Sequence, residues 1–133
     1  MIDIEQDVFL AVRTAVLAAY PNATVSTIEE REPAKFPFVA IGEMTNATKT
    51  DTIDSSLTEK FVTVMYQVDC YSNKANGRKA ECKALLGVVD GVMTRLGFYR
   101  TMSNPVNMDR ATAYRMTSRY TASVDTNKTI YRR

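Results

Sequence analysis

Cys70 and Cys82 bracket a polar loop in the stretch CYSNKANGRKAEC. A β-rich run ends at the first cysteine, and a basic helix start precedes the second. That order of elements also occurs in nucleotide-binding loops, and two bracketing cysteines raise the question of a metal clip. A phosphate cradle of the Walker type needs several glycines and a Lys-Ser/Thr pair, so that backbone N–H groups can wrap the phosphate. Here Gly77 is the single glycine, and Arg78 and Lys79 follow it. The dinucleotide G-x-G-x-x-G pattern is missing as well. Lys74, Arg78 and Lys79 at a helix start remain able to attract an anion. The plainer reading is a strand-to-helix corner, capped by Ser72 or Asn73.

A tetrahedral zinc site needs four ligands of the Cys/His type. The chain offers two cysteines and no histidine, so packing is the expected role of both thiols. The absence of histidine also removes Ser-His and Cys-His nucleophilic pairs. Among the acids, Glu29, Glu30 and Glu32 cluster beside Arg31 and ahead of a proline, and Asp51 and Asp54 sit in a polar run. Neither set resembles two carboxylates held in an apolar cleft with separated pKa values. No enzyme activity, cofactor or metal is expected from these residues.

The elements that position these groups follow from periodicity. Residues 3–20 read as a helix with Ile4, Val8, Val12, Ala15, Val16 and Ala19 on one face. Asp3 and Gln6 suggest a capping box, and Pro21 stops the helix. Residues 24–29 and 38–44 read as strands. Residues 45–56 contain almost nothing apolar and read as a long solvated loop or a projecting hairpin. Residues 57–72 give the clearest strand signal. Val62, Val64, Tyr66, Val68 and Cys70 share one face by period two, while Thr63, Met65, Gln67, Asp69 and Tyr71 share the other.

A second helix spans 75–96, with Leu85, Val88, Val89, Val92 and Leu96 as its apolar stripe. Gly87 and Gly91 interrupt it at a cost of ~1 kcal/mol each, which suggests close packing against a neighbouring element. Gly97 suits the C-terminal cap. After a short strand FYRTM, Asn104-Pro105 reads as a turn. Residues 111–124 form another long strand, placing Arg115, Thr117, Arg119, Thr121 and Ser123 on one face. DTNKTIYRR closes the sequence as a basic tail. The order predicts a single α+β domain over residues 1–133: a mainly antiparallel sheet with two helices packed on one face, an exposed loop near 45–56 and a tail at 125–133.

Composition adds limits. A 45% hydrophobic, 24% charged chain of 133 residues is ordinary for one globular domain. A formal net charge of +2 is weak for a nucleic-acid binder. No apolar run approaches the ~20 residues of a membrane-spanning helix, and the acidic, interrupted start MIDIEQDVF does not read as a signal peptide.

Three pieces of sequence carry a likeness. They are AKFPFVAIGEM, MYQVDCYSNKANGRKAECKALLGVVDGVM, and GFYRTMSNPVNMDRATAYRMTSRY. Together they resemble the tail terminator or tail-completion proteins of long-tailed bacteriophages, a minor capsid protein type, over roughly residues 20–124. The distinguishing pieces are KFP before the second strand, YSNK with Gly-Arg-Lys entering the helix, and the GF-RT…NP run. None is catalytic.

The resemblance implies a virion protein, made in the host cytoplasm. Such a protein forms a homo-oligomeric, six-membered ring at the head-proximal end of the tail tube. The ring would end tube polymerisation and meet the tail tube protein below and neck or head-completion proteins above. DNA would pass through its lumen without sequence-specific binding. Another neck component is the alternative, and a small anion- or nucleotide-binding domain around Lys74, Arg78 and Lys79 is a further one. The residues expected at subunit or partner contacts are Met65, Tyr71, Arg115, Arg119, Tyr131, Arg132 and Arg133.

Overall fold

In the computed structural model, residues 1–27, 35–48, 61–106 and 113–131 are described. Two helices, α1 (Glu5–Ala19) and α2 (Arg78–Leu96), accompany six strands. The strands are β1 (Thr24–Ser26), β2 (Phe38–Thr48), β3 (Phe61–Ser72), β4 (Tyr99–Val106), β5 (Tyr114–Asp125) and β6 (Ile130–Tyr131). The sheet runs β1-β2-β3-β5-β4, and β6 pairs with β5. Only β1–β2 is parallel; every other pairing is antiparallel. The architecture is the expected α+β one.

Both helices lie on the same face of the sheet. Val8, Val12 and Val16 of α1 and Leu85, Val89, Val92 and Met93 of α2 pack in one cluster. Their partners there are Val62, Val64, Tyr66, Val68 and Cys70 of β3, with Tyr120, Ala122 and Val124 of β5. Each apolar side chain buried this fully contributes about 1.5–3 kcal/mol. Tyr66 and Tyr120 are cross-strand partners in this core. The Tyr66 ring meets Phe98 edge-on at 5.4 Å. The Tyr120 hydroxyl escapes the apolar interior by donating to Asp90 Oδ1 at 2.8 Å, an acceptor it shares with Arg100.

Helix ends depart from the sequence reading in instructive ways. The Asp3/Gln6 capping box does not form. Ile4 is the N-cap, and Asp3 instead accepts the Glu5 N–H at 3.0 Å. At the start of α2 the N-cap is Gly77 at φ 86°, not Ser72 or Asn73. The C-terminal expectation holds. Gly97 sits at φ 110° and gives its N–H to the last turn, while the Phe98 N–H reaches Met93 O at 2.9 Å. A Cβ on Gly97 would stand 3.1 Å from both Ile130 Cγ2 and Ile130 O. Gly97→Ala is therefore expected to cost about 1–2 kcal/mol, from the left-handed φ and the contact with β6. Urea denaturation of the purified variant measures it.

Three further expectations are corrected. Thr45 to Thr48 are not loop: they continue β2, opposite Met65 to Val62, after a bulge at Met44. Asn104 and Pro105 do not make a turn; they lie within β4, an edge strand where a missing N–H is tolerated. Among the described residues Gly87 and Gly91 pack against no neighbouring element, for a Cβ on either would meet no atom beyond its own stretch of helix within 4 Å. Residues 49–56 of the expected loop lie outside the described residues.

Candidate interaction surface on the helix-free sheet face

The face of the sheet opposite the helices carries the odd-numbered side chains of β3 and β5. Register puts Gln67 opposite Arg119, Asp69 opposite Thr117, and Tyr71 opposite Arg115. These side chains form a connected ladder. Arg119 Nε donates to Gln67 Oε1 at 3.1 Å, and Gln67 Nε2 donates to Asp69 Oδ2 at 3.1 Å. Asp69 Oδ1 accepts from Arg115 Nε at 3.0 Å and pairs with Nη2 at 2.9 Å. The Arg115 guanidinium lies 5.2 Å from the centre of the Tyr71 ring. Asp69 is 3% and Arg115 15% exposed at the side chain, so the pair is withdrawn from water. A doubly bonded arginine of this kind is fixed in place, and a lysine could not reproduce its fork.

At the other end of this face the lining turns apolar. Met65, Thr121 and Tyr99 lie side by side on neighbouring strands, and Met102 pairs with Arg119. Tyr131, brought back by β6, stands opposite Ser123 with its ring 6.0 Å from Phe61. A shallow hollow of about 180 Å³ lies toward β2, lined by Thr27, Ala40, Gly42, Glu43, Met44, Gln67 and Asp69.

The predicted contact residues separate accordingly. Met65 and Arg119 lie on this face and keep partial exposure. Arg115 lies there too, but its charge is spent on Asp69. Tyr71 is fully buried against Phe38, with ring centres 5.5 Å apart, so its ring is not presented to a partner. Tyr131 is exposed, yet it belongs to a strand and not to a free tail. Arg132 and Arg133 lie outside the described residues, as do Glu29, Glu30, Glu32, Asp51 and Asp54. Gln67 and Asp69 were not among the expected contact residues; their place on the same face as Met65 was the available signal.

The strand-to-helix corner is self-contained. Ser72 Oγ donates to Glu81 Oε1 at 2.6 Å and accepts the Lys74 N–H at 3.3 Å. The Glu81 carboxylate thus occupies the positive N-terminal end of α2, where an incoming phosphate would meet a like charge. Cys82 Sγ faces the carbonyl oxygens of Cys70 at 3.4 Å and Tyr114 at 3.2 Å. Burial pushes the Cys82 thiol up to about 12 and the Cys70 thiol well above its ordinary value, so both stay protonated and unreactive at neutral pH. The two are free thiols. Among the described residues no group of three His, Cys, Asp or Glu side chains gathers to hold a metal ion. No helix there is long and apolar enough to cross a membrane.

On the helix side of the sheet the first residues clamp β2. Glu5 Oε2 accepts the Glu43 N–H at 2.8 Å, and Asn46 Nδ2 donates to Ile2 O at 2.7 Å. The Tyr66 hydroxyl donates to Glu43 Oε1 at 3.1 Å. Desolvation raises the Glu43 carboxyl above its ordinary value; the Tyr66 hydrogen bond opposes this, and the nearby Glu5 and Asp3 charges add to it. A carboxyl whose folded pKa is raised binds its proton more tightly in the fold than in the unfolded chain. Its contribution therefore falls as pH climbs from the ordinary carboxylate range through the raised folded value, and the penalty persists at neutral pH. Glu43→Gln keeps the acceptor for Tyr66 and removes the charge. It is expected to melt higher than the parent at pH 7, with the two curves converging below about pH 4, read by a thermal-melt series across pH.

No protein-family model matches the chain, and no curated protein matches it.

Proposed function

We propose that the chain is a structural subunit of the tail terminator or tail-completion type. In this reading copies form a ring, of six members, at the head-proximal end of a long-tailed phage tail tube, end tube polymerisation and join the tail to the neck. The observation that carries this reading is the helix-free sheet face. It is a broad surface of rigid strands on which a polar ladder of Gln67, Asp69, Arg115 and Arg119 is fixed beside Met65, Met102 and Tyr99. Tyrosine, methionine and arginine are the side chains enriched where proteins meet. Paired charges also suit a subunit beside passing DNA, since a dense unpaired Arg/Lys lining would hold phosphate and impede movement. The resemblance carried by the KFP, YSNK and GF-RT…NP pieces supplies the setting.

The test is electron microscopy of particles assembled without this protein. Headless tails of uncontrolled length are expected. Tails of normal length that join heads would overturn the proposal.

A further inference from the structure

We infer that the helix-free sheet face binds helix α1 of a second copy of this chain, with Arg119 of one copy facing Asp7 of the other. The inference rests on the self-assembly proposed above and not on its phage setting.

The two surfaces are complementary in what they leave unsatisfied. The large apolar side chains left exposed among the described residues are Met1, Leu10, Met44, Tyr99 and Tyr131. Met44, Tyr99 and Tyr131 border the sheet face, by their place at the β2 hollow and by their strand partners. Leu10 is alone on α1, 46% exposed. It falls on the side away from Val8, Val12 and Val16, and Leu17, seven residues on, shares that side. One copy therefore presents Leu10 and Leu17 with exposed Arg13 between them, and the other presents Met65, Tyr99 and Tyr131 around buried Thr121 and Ser123.

Charge selects between possible occupants. Arg119 engages Gln67 through Nε, and its terminal nitrogens make no hydrogen bond or ion pair among the described residues. Among the described residues of this face, it is the cation whose charge is not already met by Asp69. Asp7, in the first turn of α1, and Asp3, just before the helix, are exposed, one and two turns before Leu10. The outer side of α2 carries exposed Lys79 and Lys83 and would repel Arg119. Two sheet faces meeting each other would set Arg119 against its own copy. Among the described helices, α1 brings exposed Asp3 and Asp7 beside Leu10, with Arg13 as the one exposed cation in between, so its outer side is net acidic where that of α2 is basic.

Such a contact joins two different patches, so it repeats head to tail and closes as a ring when the rotation allows. It also lays a helix over the part of this face that stays open, around Met65, Arg119 and Tyr99.

Two variants of the full chain test this, altered at exposed Asp7, Leu10 and Tyr99 and at half-exposed Arg119. Leu10→Glu with Asp7→Lys blocks the helix surface. Tyr99→Glu with Arg119→Glu blocks the sheet surface. Sedimentation velocity across concentration is the readout, and thermal melts check that each variant folds. Wild-type protein is expected to associate. Each blocked variant alone is expected to lose at least about tenfold in association affinity. Mixed in equal amounts, they retain one intact contact and are expected to form a capped dimer. A blocked variant that associates like wild type overturns this contact while leaving ring formation standing, and so does a mixture that stays monomeric. Wild-type protein that stays monomeric even in the assembled particle overturns both.

Discussion

Arg115→Ala is expected to lower stability by about 3–5 kcal/mol, the usual cost of stripping one partner from a buried ion pair. The ordinary net stability of a domain is about 5–15 kcal/mol, so this approaches the margin of folding. The cost arises because Asp69 is only 3% exposed at its side chain and would keep its carboxylate in place with Gln67 as a remaining donor. Arg115→Lys should cost less, about 1–2 kcal/mol, since it keeps a charge but loses the fork and the contact with the Tyr71 ring. The double variant Asp69→Ala, Arg115→Ala should cost less than the sum of the single changes, because no lone charge is left in the sheet. Equilibrium urea unfolding of the four proteins measures all of this. An Arg115→Ala protein within 1 kcal/mol of the parent would show that Asp69 finds water or another donor, and that the ladder is not structural. The same reasoning separates the two arginines. Loss of assembly in an Arg115 variant would report a damaged fold, whereas Arg119, tied only through Gln67, reports the contact itself.

That distinction was not legible in the sequence. Alternation placed Asp69 and Arg115 on the mixed faces of their strands correctly, but they lie 46 residues apart, and only the register of β3 on β5 brings them together. A requirement that opposite charges meet across two long antiparallel strands was the available clue. The valine stripe of α1 and the even face of β3 were readable because burial on one side enforces the period. The second half of β2 was not. Thr45, Asn46 and Thr48 are polar and Ala47 is small, and the bulge at Met44 shifts their parity, so this part of the strand shows no apolar alternation. Pro105 read as a turn because nothing local says which strand will be an edge. The C-terminal segment read as a free basic tail, yet Ile130 and Tyr131 pair with β5, and Ile130 lies against Gly97. Removing residues 127–133 therefore strips an edge of the sheet and cannot serve as a neutral test of partner binding.

Gly87→Ala and Gly91→Ala together are expected to raise stability by about 2 kcal/mol, near the helix-propensity difference of ~1 kcal/mol per exposed site. Neither glycine has a positive φ, and among the described residues a Cβ on either would meet no atom beyond its own stretch of helix within 4 Å. The gain should be close to additive, since the two methyl groups extend into open space. Urea unfolding measures it, and a gain below about 0.5 kcal/mol would show that α2 is constrained in some way its backbone does not reveal. The same protein also bears on where copies meet. Gly87 and Gly91 lie on the outer side of α2, together with Ala80 and Ala84, whereas the contact inferred above uses α1 and the sheet face. The doubly substituted protein should thus be more stable and associate as the parent does. A protein that is more stable yet no longer associates would move the contact onto α2. There the two glycines would be permitting another backbone to approach, and their cost to the isolated helix would be offset only in the assembly.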